Sequence, residues 1–439
     1  MMDDIRNGNN IPNQFPTNGQ DWANYIGHLW NANRQIQLIL EFEDRLNIPR
    51  MRKAVRLSID AEPILGCTFV ENEQLPFWER LEHLDARNCF RWEEVQDRDE
   101  ALTITLTQPF DSEEQQLQVK LIRSNNADTL CIKLNHACCD GGGAKEYLQL
   151  LLKIYNHLGE DETYRPESNV AGQRDAARLF QTLGIKDPLL AFNPQLAALK
   201  PTWSFPYKEV EAKSFHFSTL RLDKSQTGTL HSYAKVNGAT LNDLILTAFY
   251  RALFVIVQPE EAEPMEICVT YDLRNYLPDK KADAICNLSS VVNHRIAKRE
   301  GESPLATLKR VSLVMNEIKN NKPGIHSAAT LEMLMGIGFK HAVASIKAAW
   351  EEAVKSRMST INLSNMGIVA KYPLNFGGLI AKQAYLVTPV FRSPSFMLGV
   401  SSYDQRLTFT VGYCEPEMAR SDVDAFFSIL QKELLSFQG

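Results

Sequence analysis

The segment TLCIKLNHACCDGGGAKEYLQLL (129–151) constrains the fold more than any other stretch of the chain. By the two-residue period of a strand, Leu130, Ile132, Leu134 and His136 share one face, while Cys131, Lys133 and Asn135 share the other. CCDGGG breaks the strand. A helix is predicted to begin near Ala144, with Tyr147, Leu148, Leu151, Ile154, Tyr155 and Leu158 on one apolar stripe. His136 is thereby placed at a strand end, on the side its apolar neighbours bury. Asp140 falls in the turn, where three glycines allow a tight backbone and close approach of another group.

A neutral imidazole titrating near pH ~6.5 can take up a proton at physiological pH. As a positioned general base it typically contributes ~10²–10⁴-fold in rate. Asp140 could orient that imidazole as the third group of a triad does, or hold the loop through a salt bridge, and spacing leaves both open. A lone histidine on an apolar strand face also commonly serves as a hydrogen-bonded core residue. Cys138 and Cys139 read as small buried residues packing a tight turn.

Helical and strand periods mix irregularly along the rest of the chain. Helical periods run through DWANYIGHLWNANRQ and PRMRKAVRLSIDAEP. ILGCTFV, FRWEEV, TITLT and QLQVKLIR read as strands, several alternating as in a sheet with one covered face. After residue 205 come strand SFHFSTLRL, helix KSQTGTLHSYAKV ending at Asn237-Gly238, and a capped helix from Thr240 that is apolar nearly all round. Strand MEICVTYDL, the segment CNLSSVVNHRI, a long helical region (303–357), four further strands and a closing helix complete the pattern. Neither half shows the strict βαβ alternation of a doubly wound fold, so the class is α+β. The expected organisation is a polar, mobile N-terminal arm (1–20), a first lobe (21–160), a linker (161–205) and a second lobe (206–439).

The formal charge of −6 leaves no basic excess to neutralise phosphates, which argues against a nucleic-acid partner. Eight cysteines occur without a C-x-x-C pair, so no metal site is indicated. They read as buried free thiols in a reducing, cytoplasmic setting. No run approaches ~18 apolar residues, so no transmembrane segment is expected. The polar N-terminus lacks the apolar core of a signal peptide.

H-x-x-x-D-G after an apolar strand, followed by an E-Y-L-x-L-L helix, resembles the active-site motif of the condensation-domain and chloramphenicol acetyltransferase-like superfamily. Further segments resemble that family in its order. They are LNIPRMRKAVRLSIDAEPILGCTF, QPFDSEEQQLQVKLIR, VNGATLNDLILTAF, VTYDLRNYLP, STINLSNMG and SSYDQRLTFTVGY, so the likeness covers about residues 22–437. The chain departs from peptide condensation domains at Asn135, where they usually carry a first histidine, and it lacks the D-F-G-W-G motif of plant acyltransferases.

The resemblance implies two chloramphenicol acetyltransferase-like lobes in a V-shaped pseudo-dimer with a tunnel at their interface. It implies an acyltransferase that moves an acyl group from a thioester to a hydroxyl or amine, with His136 as general base. Asp140 and Arg274 would pair as structural partners. Gly141 would offer its backbone N–H to the thioester or oxyanion, and Asn365 would line the substrate channel. The co-substrate would be acyl-CoA or a phosphopantetheinyl carrier protein supplied in trans, with no bound cofactor, and the chain would act as a monomer, with secondary metabolism as the setting. Two other readings are a peptide condensation enzyme working between two carrier proteins and a catalytically silent binding module of the same fold.

Overall fold

The computed structural model describes residues 11–27, 33–112, 114–193 and 200–438. The first half contains β1 (Gln14–Pro16), α1 (Gly19–Ile26), β2 (Gln35–Glu41), α2 (Ile48–Ala61), β3 (Cys67–Val70), β4 (Phe77–Arg80), β5 (Phe90–Glu94), α3 (Arg98–Thr107), β6 (Leu117–Ser124), β7 (Ala127–Asn135), α4 (Gly141–Glu160) and α5 (Ala177–Thr182). The second half contributes β8 (Ser214–Leu222), α6 (Lys224–Val236), α7 (Leu241–Val257), β9 (Pro264–Asp272), β10 (Ser289–Ala297), α8 (Pro304–Asn320), α9 (Ile325–Gly336) and α10 (Phe339–Ser356). It ends with β11 (Ile361–Ile368), the short pair β12 (Asn375–Phe376) and β13 (Leu379–Ile380), β14 (Gln383–Val387), β15 (Phe396–Tyr403), β16 (Arg406–Glu415) and α11 (Arg420–Leu435).

The chain is α+β and builds two sheet-rich lobes. The first lobe holds a five-stranded sheet ordered β14-β2-β7-β6-β5, and the second a six-stranded sheet ordered β10-β9-β11-β15-β16-β8. The alternation in β7 is used as its sequence requires. Leu130, Ile132 and Leu134 join a core with Ile36, Leu38 and Leu40 of β2 and the inner faces of α2 and α4. The α4 stripe from Tyr147 to Leu158 is buried throughout. Each such side chain contributes roughly 1.5–3 kcal/mol of transfer free energy.

The other face of this sheet is covered too, contrary to the single covered face expected. Ile39, Ile122 and Cys131 pack on Ala101, Leu102 and Leu106 of α3 and on Tyr385 and Val387 of β14. The polar residues on that face bond to the C-terminal end of α3. Gln37 Nε2 donates to Leu106 O at 2.9 Å, and Lys133 Nζ donates to Gln108 O at 2.7 Å. Carbonyls that the helix leaves unpaired are thereby satisfied.

Several expectations need correction. TITLT is the end of α3. Asp97 caps that helix, and Thr103, Thr105 and Thr107 turn their hydroxyls onto the carbonyls four residues back, which lets β-branched residues sit in a helix. Residues 11–20 form no loose arm, because β1 pairs with β4 and Asn18 caps α1 in a reciprocal capping box. Residues 1–10 of that arm lie outside the described residues, as do 28–32 of the helical run read through DWANYIGHLWNANRQ. Its described part is α1, Gly19–Ile26, and QIQLILE forms β2, beside β7. The region 303–357 divides into α8, α9 and α10 at Gly324 and Gly338, which have φ of 81° and 83°.

The division of the chain at 206 also fails for one strand. β14, from the second half, pairs with β2 along Gln383–Val387 and closes the first lobe's sheet. In the second lobe α7 is buried on nearly every side from Asp243 to Phe254, as expected of a helix apolar nearly all round. No single helix among the described residues is long and apolar enough to cross a membrane.

Candidate active site

β7 ends at Asn135, and the chain turns there because the Asn135 side chain makes it turn. Asn135 Oδ1 accepts from Ala137 N at 3.0 Å, and Asn135 O accepts from Cys138 N at 3.0 Å. This is the self-bonding turn that asparagine favours. His136 is the first residue past the strand, with its own N–H donating to Arg34 O at 2.8 Å. Asn135 is buried, and its side-chain oxygen and its carbonyl both shape this turn.

Asp140 caps α4. Its Oδ1 accepts from Gly143 N at 2.8 Å, and its Oδ2 accepts from Leu288 N at 2.7 Å and Arg274 Nη1 at 3.0 Å. None of these bonds goes to His136, so of the two roles left open the carboxylate fills the salt-bridge one. Burial alone would raise its pKa, but Arg274 and the two amides outweigh that and hold it below the usual carboxylate range.

Arg274 lies in a short turn after β9, two residues beyond the end of the strand, and is 3% exposed. It also donates to Glu146 Oε1 at 3.2 Å, Asp272 Oδ1 at 3.3 Å and Cys286 O at 3.0 Å. Burial would lower the guanidinium pKa, and Asp140 and Glu146 overcome that and raise it.

The three glycines are the first turn of α4, which begins at Gly141, and none has a positive φ. They are needed for close approach. A Cβ on Gly142 would stand 2.5 Å from Arg274 Nη1, and one on Gly143 would stand 2.9 Å from Cys286 O. At Gly141 the nearest atom would be Met366 Cγ at 3.3 Å. Gly141 is thus at the helix N-terminus, where backbone N–H groups face outward.

Asn365 is not placed as expected. Its Nδ2 donates to Asn242 Oδ1 at 2.8 Å, and its Oδ1 accepts from Gly367 N at 3.0 Å. With both ends engaged it tethers β11 to α7, and it does not line the cavity that His136 reaches. That cavity, about 1600 Å³, lies at the junction of the lobes between α1, β10, α8 and α9. Gln20, His136, Val291, Ile318, Ile325 and Phe391 are among its walls. Burial lowers the His136 pKa, opposed in part by Asp140, so the imidazole is neutral at physiological pH.

Sequence reasoning missed a second buried network on the far side of the His136 turn. Asp21 in α1 accepts from Trp78 Nε1 at 2.9 Å, Arg174 Nη1 at 2.9 Å and Asn287 Nδ2 at 3.2 Å. Arg174, from the segment read as a linker, also donates to Cys138 O at 2.9 Å and Ile285 O at 3.1 Å. Asn287 Nδ2 reaches His136 O at 3.1 Å and Ala137 O at 2.9 Å. The available signals were Asn18 and Asp21 at capping-box spacing and a lone asparagine in AICNLSS.

All eight cysteines are free thiols. Burial pushes the Cys67 and Cys131 thiols up to about 12, which leaves them protonated. Among the described residues no group of three or more His, Cys, Asp or Glu side chains is placed to hold a metal ion.

The Condensation domain family matches residues 31–258, and the WS/DGAT C-terminal domain family matches residues 286–435. No curated protein sequence matches the chain. Among solved structures, TRI3 trichothecene 15-O-acetyltransferase from Fusarium sporotrichioides superposes with a TM-score of 0.72 at 12% identity, over 97% of this chain and 95% of that one. The first condensation domain of the CDA synthetase gives 0.67 at 14% identity, over 97% and 96%. Polyketide synthase associated protein 5 from Mycobacterium tuberculosis gives 0.65 at 13% identity, over 95% and 98%.

Proposed function

The chain belongs to the condensation-domain family, which makes acyl transfer its activity in outline, and on that premise we propose that it carries an acyl group from a CoA or carrier-protein thioester to a hydroxyl or amine acceptor, with His136 as general base. The observation that carries this reading is a neutral imidazole at the wall of a cavity of about 1600 Å³. Its loop is braced from both lobes, and its acid–base capacity is not consumed by a salt bridge. A base needs its lone pair free at physiological pH, and burial supplies that condition.

In the proposed step the acceptor O–H or N–H gives its proton to His136 as the heteroatom attacks the thioester carbonyl carbon. The tetrahedral oxyanion is stabilised by N–H groups at the N-terminus of α4, Gly141 foremost. Collapse breaks the C–S bond, and the imidazolium returns its proton to the departing thiolate. The products are an ester or amide and a free thiol, and His136 is neutral again. No acyl-enzyme is needed, which agrees with the protonated, buried thiol of Cys139 beside the site.

The cavity exceeds the ~300–1000 Å³ usual for small-molecule sites. Its size favours a bulky acceptor, a large acyl chain, or both. Thiol release tests the reading. The protein is incubated with acyl-CoA mixtures or acylated carrier proteins and with alcohol and amine pools, and acceptor-dependent thiol release is the expected result. Release from carrier-bound donors alone would assign the donor to carrier proteins, and no release from either donor would overturn the reading.

A further inference from the structure

The structure assigns Asn287 as the positioning residue of His136: we propose that its side-chain oxygen accepts the imidazole Nδ1–H and so leaves Nε2 as the free base. This rests on the acyltransferase reading and deepens it.

Asn287 precedes β10 in the second lobe and is 1% exposed. One end of its amide faces three oxygens, those of Asp21 Oδ1, His136 O and Ala137 O. Only an NH₂ group can face three acceptors, so the orientation of the amide is fixed chemically. Its oxygen therefore points the other way, and there it is buried with no hydrogen-bond partner among the described residues. His136 Nδ1 is likewise buried and unpaired, and the imidazole lies against the Asn287 side chain. Two orphaned buried polar groups, one able to donate and one able to accept, satisfy each other with a small ring rotation. A buried polar group left without a partner is destabilising. Hydrogen bonds at catalytic groups are commonly loose before substrate binds.

The carbonyls of His136 itself and of Cys139 also face the ring. The first already accepts from Asn287 Nδ2. The charged groups around the loop are Asp140, which Arg274 neutralises, and Asp21, which Arg174 neutralises. Neither carboxylate bonds the ring. The Asp21–Arg174 pair instead fixes the amide of Asn287 and the carbonyl of Cys138, so α1, the 174 segment and the second lobe all bear on one imidazole.

The test reads the tautomer directly. The full chain is labelled with ¹⁵N-histidine, and His136→Ala identifies the His136 resonances among the nine histidines. The expected result is an Nδ1–H tautomer in the parent protein and a shift toward Nε2–H in Asn287→Ala. kcat should fall on the order of 10-fold to 100-fold with little change in KM. Asn287→Asp, nearly isosteric, provides a second variant if Asn287→Ala does not fold. Its carboxylate favours the imidazolium and should move the acid limb of kcat/KM upward by about one unit or more. An Nε2–H tautomer in the parent, or an Nδ1–H tautomer unchanged in Asn287→Ala, overturns the proposal. The tautomer needs no substrate, so an Asn287-dependent tautomer in a protein without acyl transfer would count against the function and leave the positioning role standing.

Discussion

Arg274 Nη1 in the second lobe stands 3.0 Å from Asp140 Oδ2 in the first, and both residues are almost wholly buried. The pair locks the N-terminus of α4 to the turn after β9, and thereby holds the loop that bears His136. Because each charge is buried, removing one strands the other. Asp140→Ala and Arg274→Ala should each destabilise by about 3–5 kcal/mol. The double variant should lose clearly less than the sum, with a coupling of roughly 1–3 kcal/mol. Urea denaturation of the four proteins measures this, and strict additivity would show that the pair is not a unit.

The glycines divide by the same contact. A Cβ at Gly142 collides with the Arg274 guanidinium, whereas at Gly141 it meets only the flexible Met366 side chain. Gly142→Ala should therefore cost about 2–4 kcal/mol by displacing Arg274. Gly141→Ala should stay within about 1 kcal/mol, because alanine favours a helix and Met366 can yield. Thermal melts of the two variants decide it, and equal losses would contradict the contact.

The pH–rate profile follows from the buried imidazole. Burial lowers the His136 pKa from 6.5, with Asp140 opposing in part. If His136 is the base, as proposed, it is therefore neutral and active down to below the ordinary histidine range. The acid limb of kcat/KM should fall below pH ~6.5, with rates flat above it until another group titrates. A limb well above pH ~6.5 would contradict a desolvated base.

Folding stability should fall as the solution is acidified. His294 is buried in the second lobe between Tyr250 and Val311, and burial lowers its pKa to about 4. The unfolded chain binds a proton near pH ~6.5 that the folded chain refuses until about 4. Stability is therefore complete above the unfolded value and is lost as pH falls between the two, by about 3 kcal/mol for this group. His136, also lowered, adds in the same direction. Asp140, held low by Arg274, adds a further loss at lower pH as it protonates. Denaturant midpoints across the range measure the slope, and His294→Gln should flatten it.

Blocking the cavity should affect substrate and not fold. Val291 lines it and is 38% exposed. Val291→Trp should lower kcat/KM for bulky acceptors by roughly 10-fold while leaving the melting temperature within a degree or two. Unchanged kinetics would place substrate elsewhere.

Local patterns carried much of this structure in the sequence. The β7 alternation, the α4 stripe and the Thr240–Asp243 cap are short-range features, and each forms as its spacing requires. The TITLT segment misled because β-branched residues suggest a strand, whereas Asp97 upstream caps a helix. β14 closing the first lobe, and the meeting of Asp21, Arg174 and Asn287, could not be read. Their partners lie 153 and 266 residues apart, and no local period encodes which distant polar groups will share a buried space. Arg274 was reached only through a family likeness, and Asn365 shows the limit of that route, since its amide is bound to Asn242 and Gly367.

The central claim is that His136 removes the acceptor proton. Mass spectrometry of products from acyl-CoA and acyl-carrier mixtures with alcohol and amine pools, run on the parent protein beside folded His136→Ala, tests it most directly. An acylated product from the parent, reduced by about 10²-fold or more in the variant, is the predicted result. Equal product from both proteins would contradict it.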